Sequence, residues 1–235
     1  MKSVIIDSRA SIKIKSALYS EGFELIELPT WQKLQAPVSA HPDMLMFIAD
    51  KKIITHADYL EIAKEQFKAI SNCGYELIIS NEEISSEYPR DILFNCIELG
   101  SFIFGKENNT SSHIIDYSKK CGKSFVNVKQ GYAKCSVARL NDGAAITSDK
   151  ALYKAMSANG IDVLLVSEGN IRLDGYDHGF IGGCTGAFLD KLYFMGNLEL
   201  HPDAEIIKSF CHKYKTSPIS LSDEKLFDGG SLYFL

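Results

Sequence analysis

Cys184 has the neighbours that best suit a nucleophile. It lies in the run Gly182-Gly183-Cys184-Thr185-Gly186, whose small residues leave room for a ligand beside the sulfur. His178 precedes it in a polar loop and is a candidate base, because a thiol attacks only as the thiolate. The structural alternative is that the glycines allow close backbone packing and that the thiol fills space in the core.

Two further cysteines have surroundings that suit the same chemistry. Cys96 follows Asn95 in an apolar run and is either a second candidate nucleophile or a core thiol. Cys135 follows Lys134 and precedes Arg139, and these cations would lower the pKa of the thiol if they faced it. The alternative for Cys135 is that both cations face solvent.

The tripeptide His41-Pro42-Asp43 supplies a proton carrier and a carboxylate. Histidine titrates near neutral pH and suits general acid–base catalysis, and a carboxylate holds a cation through charge-assisted hydrogen bonds. The same tripeptide recurs as His201-Pro202-Asp203 at a predicted helix start. The alternative for His41 and Asp43 is therefore a capped turn built around the proline.

Repeated hairpins are the elements that would position these residues. The stretch 179–196 predicts two strands joined by a turn at Asp190-Lys191, and looser copies span 44–55, 92–105 and 135–148. Each copy is followed by a predicted helix (57–72, 112–120, 149–158 and about 202–214) and then by a strand (75–80, 124–128, 162–167 and 218–221). The chain begins with a strand, a helix and a strand over 4–6, 11–21 and 23–28, and ends with a lone strand in 229–235.

This order predicts four hairpin–helix–strand units and a fifth that is split between the two ends of the chain. Pairing the N-terminal and C-terminal strands would close a ring and remove exposed sheet edges. We therefore predict a single α/β domain over 1–235, a five-fold pseudosymmetric α/β-propeller of ββαβ units. A doubly wound sheet would have about one strand per helix, whereas this chain has about three. Glu98 and Asp228 are candidate carboxylates near the axis of the ring.

Five such units resemble the pentein fold, which includes arginine deiminase, the amidinotransferases and a ribosome anti-association translation factor. His41-Pro42-Asp43, with Phe47 and Asp50 following, is similar to a segment of the deiminase and amidinotransferase enzymes. The resemblance implies that His41 is a general acid/base and that Asp43 holds a guanidinium. The catalytic members end in a glycine-rich strand with a cysteine nucleophile, whereas Gly229–Phe234 has the glycines and no cysteine. The resemblance thus implies a bacterial branch without the usual C-terminal nucleophile.

Composition excludes several classes of function. The net charge of −5 argues against a nucleic-acid partner, and no apolar run approaches the ~20 residues of a membrane span. The six cysteines have no metal-site spacing, so we expect free thiols, no metal or organic cofactor and a cytoplasmic protein that is able to form oligomers.

Two functions fit this pattern. The first is a small-molecule pocket at the axis of a cysteine hydrolase or transferase that acts on a guanidino or amidino compound. Cys184 or Cys96 would attack, His41 or His178 would carry protons, and Asp43, Glu98 or Asp228 would hold the cation. The second is a non-catalytic pentein that binds a macromolecular partner or a metabolite. The fold alone does not choose between them.

Overall fold

The computed structural model describes residues 2–235, and its strands form five three-stranded sheets. In chain order the strands are β1 (Lys2–Asp7), β2 (Phe23–Leu28), β3 (Met46–Ala49), β4 (Lys52–His56), β5 (Glu76–Ser80), β6 (Ile97–Leu99), β7 (Phe102–Gly105), β8 (Ser124–Asn127), β9 (Val137–Asn141), β10 (Ala144–Thr147), β11 (Asp162–Leu165), β12 (Thr185–Phe188), β13 (Lys191–Phe194), β14 (Ser217–Ser220) and β15 (Tyr233–Phe234). The helices are α1 (Ile12–Ser20), α2 (Pro42–Leu45), α3 (Ala57–Ile62), α4 (Lys64–Asn72), α5 (Ser112–Lys120), α6 (Lys150–Ala158) and α7 (Ala204–Lys213).

All five sheets share one strand order. In β3-β4-β5 the first pair is antiparallel and the second pair is parallel, and the sheets β6-β7-β8, β9-β10-β11 and β12-β13-β14 repeat this order. Two-residue turns join the antiparallel pairs, whereas a helix crosses between the parallel strands, as parallel pairing requires. The predicted hairpin, helix and strand order is therefore observed.

The remaining sheet is built from both ends of the chain. Its order is β15-β1-β2, with β1 antiparallel to β15 and parallel to β2. Val4 pairs with Phe234 and Ile5 with Tyr233, and the N–H of Leu235 donates to the Ser3 carbonyl at 2.9 Å. The predicted pairing of the N-terminal and C-terminal strands is thus present.

Helix ends follow local capping chemistry. Asp149 Oδ1 accepts the backbone N–H groups of Ala151 and Leu152, both at 2.8 Å, and begins α6. Gly160 has a positive φ of 81° and follows the end of this helix. The single helix predicted over 57–72 is instead two helices, because Ala63 leaves helical geometry at φ −110° and ψ 34°.

Several strands begin later in the chain than the sequence predicted. Cys184, Cys96 and Cys135 all lie in the segments that precede β12, β6 and β9, and none of them is a strand residue. The turn of the 179–196 hairpin is at Leu189-Asp190, one residue earlier than predicted. The C-terminal strand is only two residues long, because the N–H groups of Gly229, Ser231 and Leu232 donate instead to the carbonyls of Gly183 and Thr185. No helix within 2–235 is both long enough and apolar enough to cross a lipid bilayer.

Candidate active site

A cavity of about 250 Å³ lies at the ends of the first strands, beside His41, and is called the His41 cavity below. His41, Cys135 and Asp228 form its inner part and are at most 4% exposed. Its outer part is formed by aromatic and polar side chains, namely Tyr132, Tyr176, Asp177, His178 and Phe180. The cavity thus combines a thiol, an imidazole and a carboxylate that come from three distant parts of the chain.

His41 lies between two carboxylates without bonding to either. Its Nε2 is 3.9 Å from Asp7 Oδ2, and its Nδ1 is 3.8 Å from Asp228 Oδ1. Nε2 is buried and has no hydrogen-bond partner among the side chains and backbone described. Asp7 is held by Arg9, whose Nη2 lies 2.6 Å from Oδ2. The imidazole therefore has a nitrogen free to exchange a proton, and one of its two carboxylate neighbours already has a cation.

Asp228 is positioned by backbone donors. Its Oδ2 accepts the N–H of Phe180 at 2.8 Å, and its Oδ1 accepts the N–H of Gly230 at 3.1 Å. A Cβ at Gly179 would lie 2.5 Å from Asp228 Cβ, and one at Gly183 would overlap the carboxylate. Burial raises the pKa of Asp228; His41 opposes this change and Asp43 adds to it. The glycines around Cys184 therefore make room for Asp228, in agreement with the packing alternative.

Asp43 is joined to Lys134 through Ser231. The Ser231 hydroxyl lies 2.7 Å from Asp43 Oδ2 and 3.0 Å from the Gly182 carbonyl, and Lys134 Nζ donates to the same hydroxyl at 2.8 Å. Asp43 is fully buried, and its Oδ1 has no hydrogen-bond partner within residues 2–235. This carboxylate has an oxygen available for a further donor.

Asn95 holds the segment that carries Cys135. Its Oδ1 accepts the N–H of Lys134 at 2.8 Å and that of Cys135 at 3.3 Å. Its Nδ2 lies 2.9 Å from the Cys135 sulfur and 3.0 Å from the Asp43 carbonyl. Burial raises the pKa of the Cys135 thiol, and the charges of Asp43 and Asp228 raise it further. In the free protein this thiol is held protonated.

The other two predicted nucleophiles lie elsewhere. Cys184 is fully buried in an apolar cluster with Ile181, Leu192 and Phe194, its sulfur is 3.2 Å from the Ile181 carbonyl, and burial raises its pKa. The Cys96 sulfur is 3.3 Å from Thr110 Oγ1, and burial raises its pKa to about 12. Neither sulfur lines the His41 cavity.

His178 lies apart from Cys184, and Glu98 lies apart from the His41 cavity. His178 lies at the outer part of the His41 cavity, with Nε2 3.4 Å from Glu168 Oε1 and Nδ1 3.0 Å from the Gly179 carbonyl. Both of its ring nitrogens thus face groups other than Cys184. Glu98 lines a different cavity and bonds to the Tyr117 hydroxyl at 2.9 Å. Of the seven predicted residues, His41, His178 and Asp228 line the His41 cavity, and Asp43 lies beside Cys135.

Asn95 and Ser231 were not predicted as site residues, Lys134 was considered only as a cation beside Cys135, and Cys135 was placed below two other thiols. The available signal was weak, because a serine after two glycines and an asparagine before a cysteine occur in many turns. Within the part of the chain described, no group of three or more His, Cys, Asp or Glu side chains has a geometry that could hold a metal ion.

Several solved structures share this fold over nearly the whole chain. A dimethylarginine dimethylaminohydrolase adduct with S-methyl-L-thiocitrulline is similar with a TM-score of 0.59 and 10% identity, over 94% of this chain and 92% of the other. An amidinotransferase of Microseira wollei (SxtG) is similar with a TM-score of 0.55 and 11% identity, over 94% and 88%. An agmatine deiminase of C. jejuni is similar with a TM-score of 0.53 and 9% identity, over 96% and 90%.

These likenesses establish that the chain has the pentein fold, and the resemblance predicted from the sequence is confirmed at the level of the fold. Residues 5–233 match the model of a family described as a family of unknown function (DUF6873). The chain belongs to this family. No curated protein matches it in sequence.

Proposed function

We propose that the His41 cavity binds a small cation of the guanidino or amidino class. The observation that carries this proposal is the pair of buried carboxylates, Asp228 at the cavity and Asp43 beside Cys135, with Asp43 Oδ1 unpartnered in the described chain. A buried carboxylate without a compensating cation is costly, so a cation there would stabilise the folded protein. Tyr132 and Phe180 offer aromatic faces on which a planar cation can stack.

We further propose that the protein is a cysteine-dependent hydrolase or transferase with Cys135 as the nucleophile. The Cys135 sulfur bonds to the amidino carbon, the bond from that carbon to a leaving amine breaks, and the thiol proton ends on the amine. His41 lines the same cavity, and its Nδ1 lies 3.8 Å from Asp228, which also lines the cavity, so the imidazole is placed to carry that proton. Water or an acceptor amine then takes the amidino group from the sulfur and restores the thiol.

The cation itself would activate the thiol. The charges of Asp43 and Asp228 both raise the pKa of Cys135, in addition to burial. A cation held between these carboxylates offsets their charges and favours the thiolate. Cys135 is therefore expected to be unreactive until a cation binds.

The names of the solved neighbours support this class of compound. They include an amidinotransferase and an agmatine deiminase, and a dimethylarginine hydrolase from Pseudomonas aeruginosa was solved with citrulline. The chain covers 91% of that hydrolase at 10% identity, with a TM-score of 0.56.

Cys184 and Cys96 stay alternative nucleophiles, with His178 and Glu98 as alternative partners.

A binding protein without turnover is the second candidate. It is favoured by the raised pKa of each thiol near the centre and by the absence of a cysteine in Gly229–Phe234. Such a protein would hold the same cation, or a macromolecular partner, and release it unchanged.

We also propose that the five sheets close into a ring with five-fold pseudosymmetry, in one domain over 1–235. The shared strand order and the β15–β1 pair support this arrangement. A cytoplasmic location, the capacity to form oligomers and the absence of nucleic-acid and membrane partners stay predictions.

Binding is tested by titrating the protein with arginine, agmatine and methylguanidine, and with methylurea as the uncharged control, while measuring the unfolding temperature. We expect the cations to raise the unfolding temperature and methylurea to leave it unchanged. Asp228→Asn removes a charge-assisted hydrogen bond of about 1.5–3 kcal/mol, so affinity should fall roughly 10-fold to 150-fold. If no guanidino or amidino cation binds, the proposal is wrong.

Turnover is tested on the same compounds by measuring the release of ammonia or amine. Cys135→Ala should abolish turnover and retain binding, whereas Cys96→Ala and Cys184→Ala should retain both. Binding by the wild type without turnover would favour the second candidate. Turnover that survives Cys135→Ala and is lost in Cys184→Ala would reassign the nucleophile.

A further inference from the structure

A second cavity, of about 390 Å³, lies at the hairpin end of the first strands and is called the Lys134 cavity. It is lined by residues of β3, β6, β9, β12 and β15, one strand from each of the five sheets, and by the turn residues Lys51 and Leu189. It shares no lining residue with the His41 cavity. Its volume is in the range of about 300–1,000 Å³ that is usual for small-molecule sites.

Lys134 supplies an ammonium group to this cavity. Its Nζ donates to Ser231 Oγ at 2.8 Å and lies 5.4 Å from the centre of the Tyr233 ring. No carboxylate oxygen of residues 2–235 lies within 4.0 Å of this nitrogen, since Ser231 separates it from Asp43. An ammonium has three donors, and the hydrogen bond to Ser231 uses one. The remaining donors can hold an anion.

The carboxylates of the same cavity already have partners. Glu98 Oε1 is 3.5 Å from Lys123 Nζ, and the Tyr117 hydroxyl lies 2.9 Å from Glu98 Oε2 and 2.7 Å from Asp50 Oδ2. Glu98 is therefore compensated by a cation and a hydroxyl that lie outside the lining of the cavity. Among the cations of the lining, Arg139 pairs with Asp142, whereas the Lys134 and Lys51 ammonium groups have no carboxylate of residues 2–235 within 4.0 Å. Lys134 is the less exposed of these two lysines.

We propose that the Lys134 cavity binds a small organic acid, with its carboxylate on the Lys134 ammonium and its apolar part against Ile48, Leu140 and Leu232. Burial lowers the pKa of Lys134, and a carboxylate beside it would restore the charged form. The lining combines the cationic side chains of Lys134, Lys51 and Arg139 with apolar strand residues. An organic acid has an apolar part that can pack against those residues, whereas inorganic phosphate has none. This proposal does not require the chemistry proposed for the His41 cavity, although Ser231 links Lys134 to Asp43.

The test is a calorimetric titration of the wild type, Lys134→Met and Lys51→Met with hexanoate, hexanamide and inorganic phosphate. Hexanoate should bind the wild type saturably. Hexanamide should bind the wild type at least about tenfold more weakly than hexanoate does, and Lys134→Met should bind hexanoate at least about tenfold more weakly than the wild type does, because each change removes a charge-assisted hydrogen bond. Lys51 lines the same cavity at an exposed turn, 4.4 Å from the Tyr75 ring, and is the matched control. Lys51→Met should change the affinity by less than about threefold.

A second measurement covers the case in which Lys134→Met does not fold. Wild-type protein is treated with formaldehyde and a borane reductant, and methylation of each lysine is followed by mass spectrometry. Hexanoate at ten times its dissociation constant should slow methylation of Lys134 by about tenfold and leave Lys51 unchanged. The proposal is overturned if hexanoate does not bind, if hexanamide or phosphate binds equally well, if both lysine variants lose binding equally, or if Lys134 is not protected.

Discussion

Replacing Asp228 by asparagine separates the charge of this carboxylate from its shape. Asp228 is 1% exposed, and its two oxygens accept the N–H groups of Phe180 and Gly230. Asparagine retains one oxygen, so one N–H would face an amide nitrogen. Burial raises the pKa of Asp228, against the attraction of His41, so the folded protein holds the proton of this carboxyl more tightly than the unfolded chain does.

The sign and size of the effect follow from this difference. At acid pH Asp228 is protonated in both states, and the hydrogen-bond mismatch alone should make the variant less stable by about 1–3 kcal/mol. Above the unfolded-state pKa of about 3.9, the unfolded wild type releases a proton that the folded wild type keeps, so the wild type loses stability as pH rises. The free energy of unfolding of the variant minus that of the wild type should therefore rise by at most about 1.4 kcal/mol per pH unit, up to the folded-state pKa.

The assay is urea unfolding from pH 3 to pH 8, followed by the fluorescence of Trp31, which is buried and is the single tryptophan of the chain. Asp162→Asn is the matched control, because hydrogen bonds from Lys213 and Tyr214 lower the pKa of Asp162. For that variant the same difference should fall as pH rises towards about 3.9. A flat or falling difference for Asp228→Asn, with the control as expected, would mean that the fold stabilises the Asp228 carboxylate, and the reasoning would be refuted.

Two further predictions concern stability. Asp149→Ala removes the cap of α6 and should lower the free energy of unfolding by about 1–2 kcal/mol. Asp149→Asn keeps a capping oxygen, so its loss in the same urea titration should be much smaller. Equal losses for both variants would contradict the capping role. Phe234→Ala should cost about 2–3 kcal/mol, less than a fully buried phenylalanine, because the ring is half-buried and packs 4.8 Å from the Phe23 ring. Leu189→Ala is the control: its side chain is 80% exposed, so the free energy of unfolding should change by less than about 0.5 kcal/mol. A loss for Phe234→Ala that is no larger than this would mean that the β15–β1 pair contributes little to stability.

The local elements could be predicted from the sequence because local physics determines them. Turn residues between apolar runs specified the hairpins, and helical periodicity with glycine stops specified α5 and α6 to within a residue. The split fifth unit was also predictable, since a lone strand at each end of the chain leaves two unpaired edges. The structure departs from these signals at Ala63, where the predicted helix is interrupted, although Tyr59, Phe67 and Ile70 on either side of it still share one core cluster.

The site was decided by the tertiary structure. His41, Cys135 and Asp228 are separated by about a hundred residues at each step, and strand pairing between the chain ends brings the last of them beside the first. The sequence by itself determined which residues could do chemistry, because this depends on side-chain type. Which thiol lies beside His41 and Asp228 depends on how the sheets pack against one another. That packing buries Cys184 among apolar side chains and leaves Cys135 beside two carboxylates.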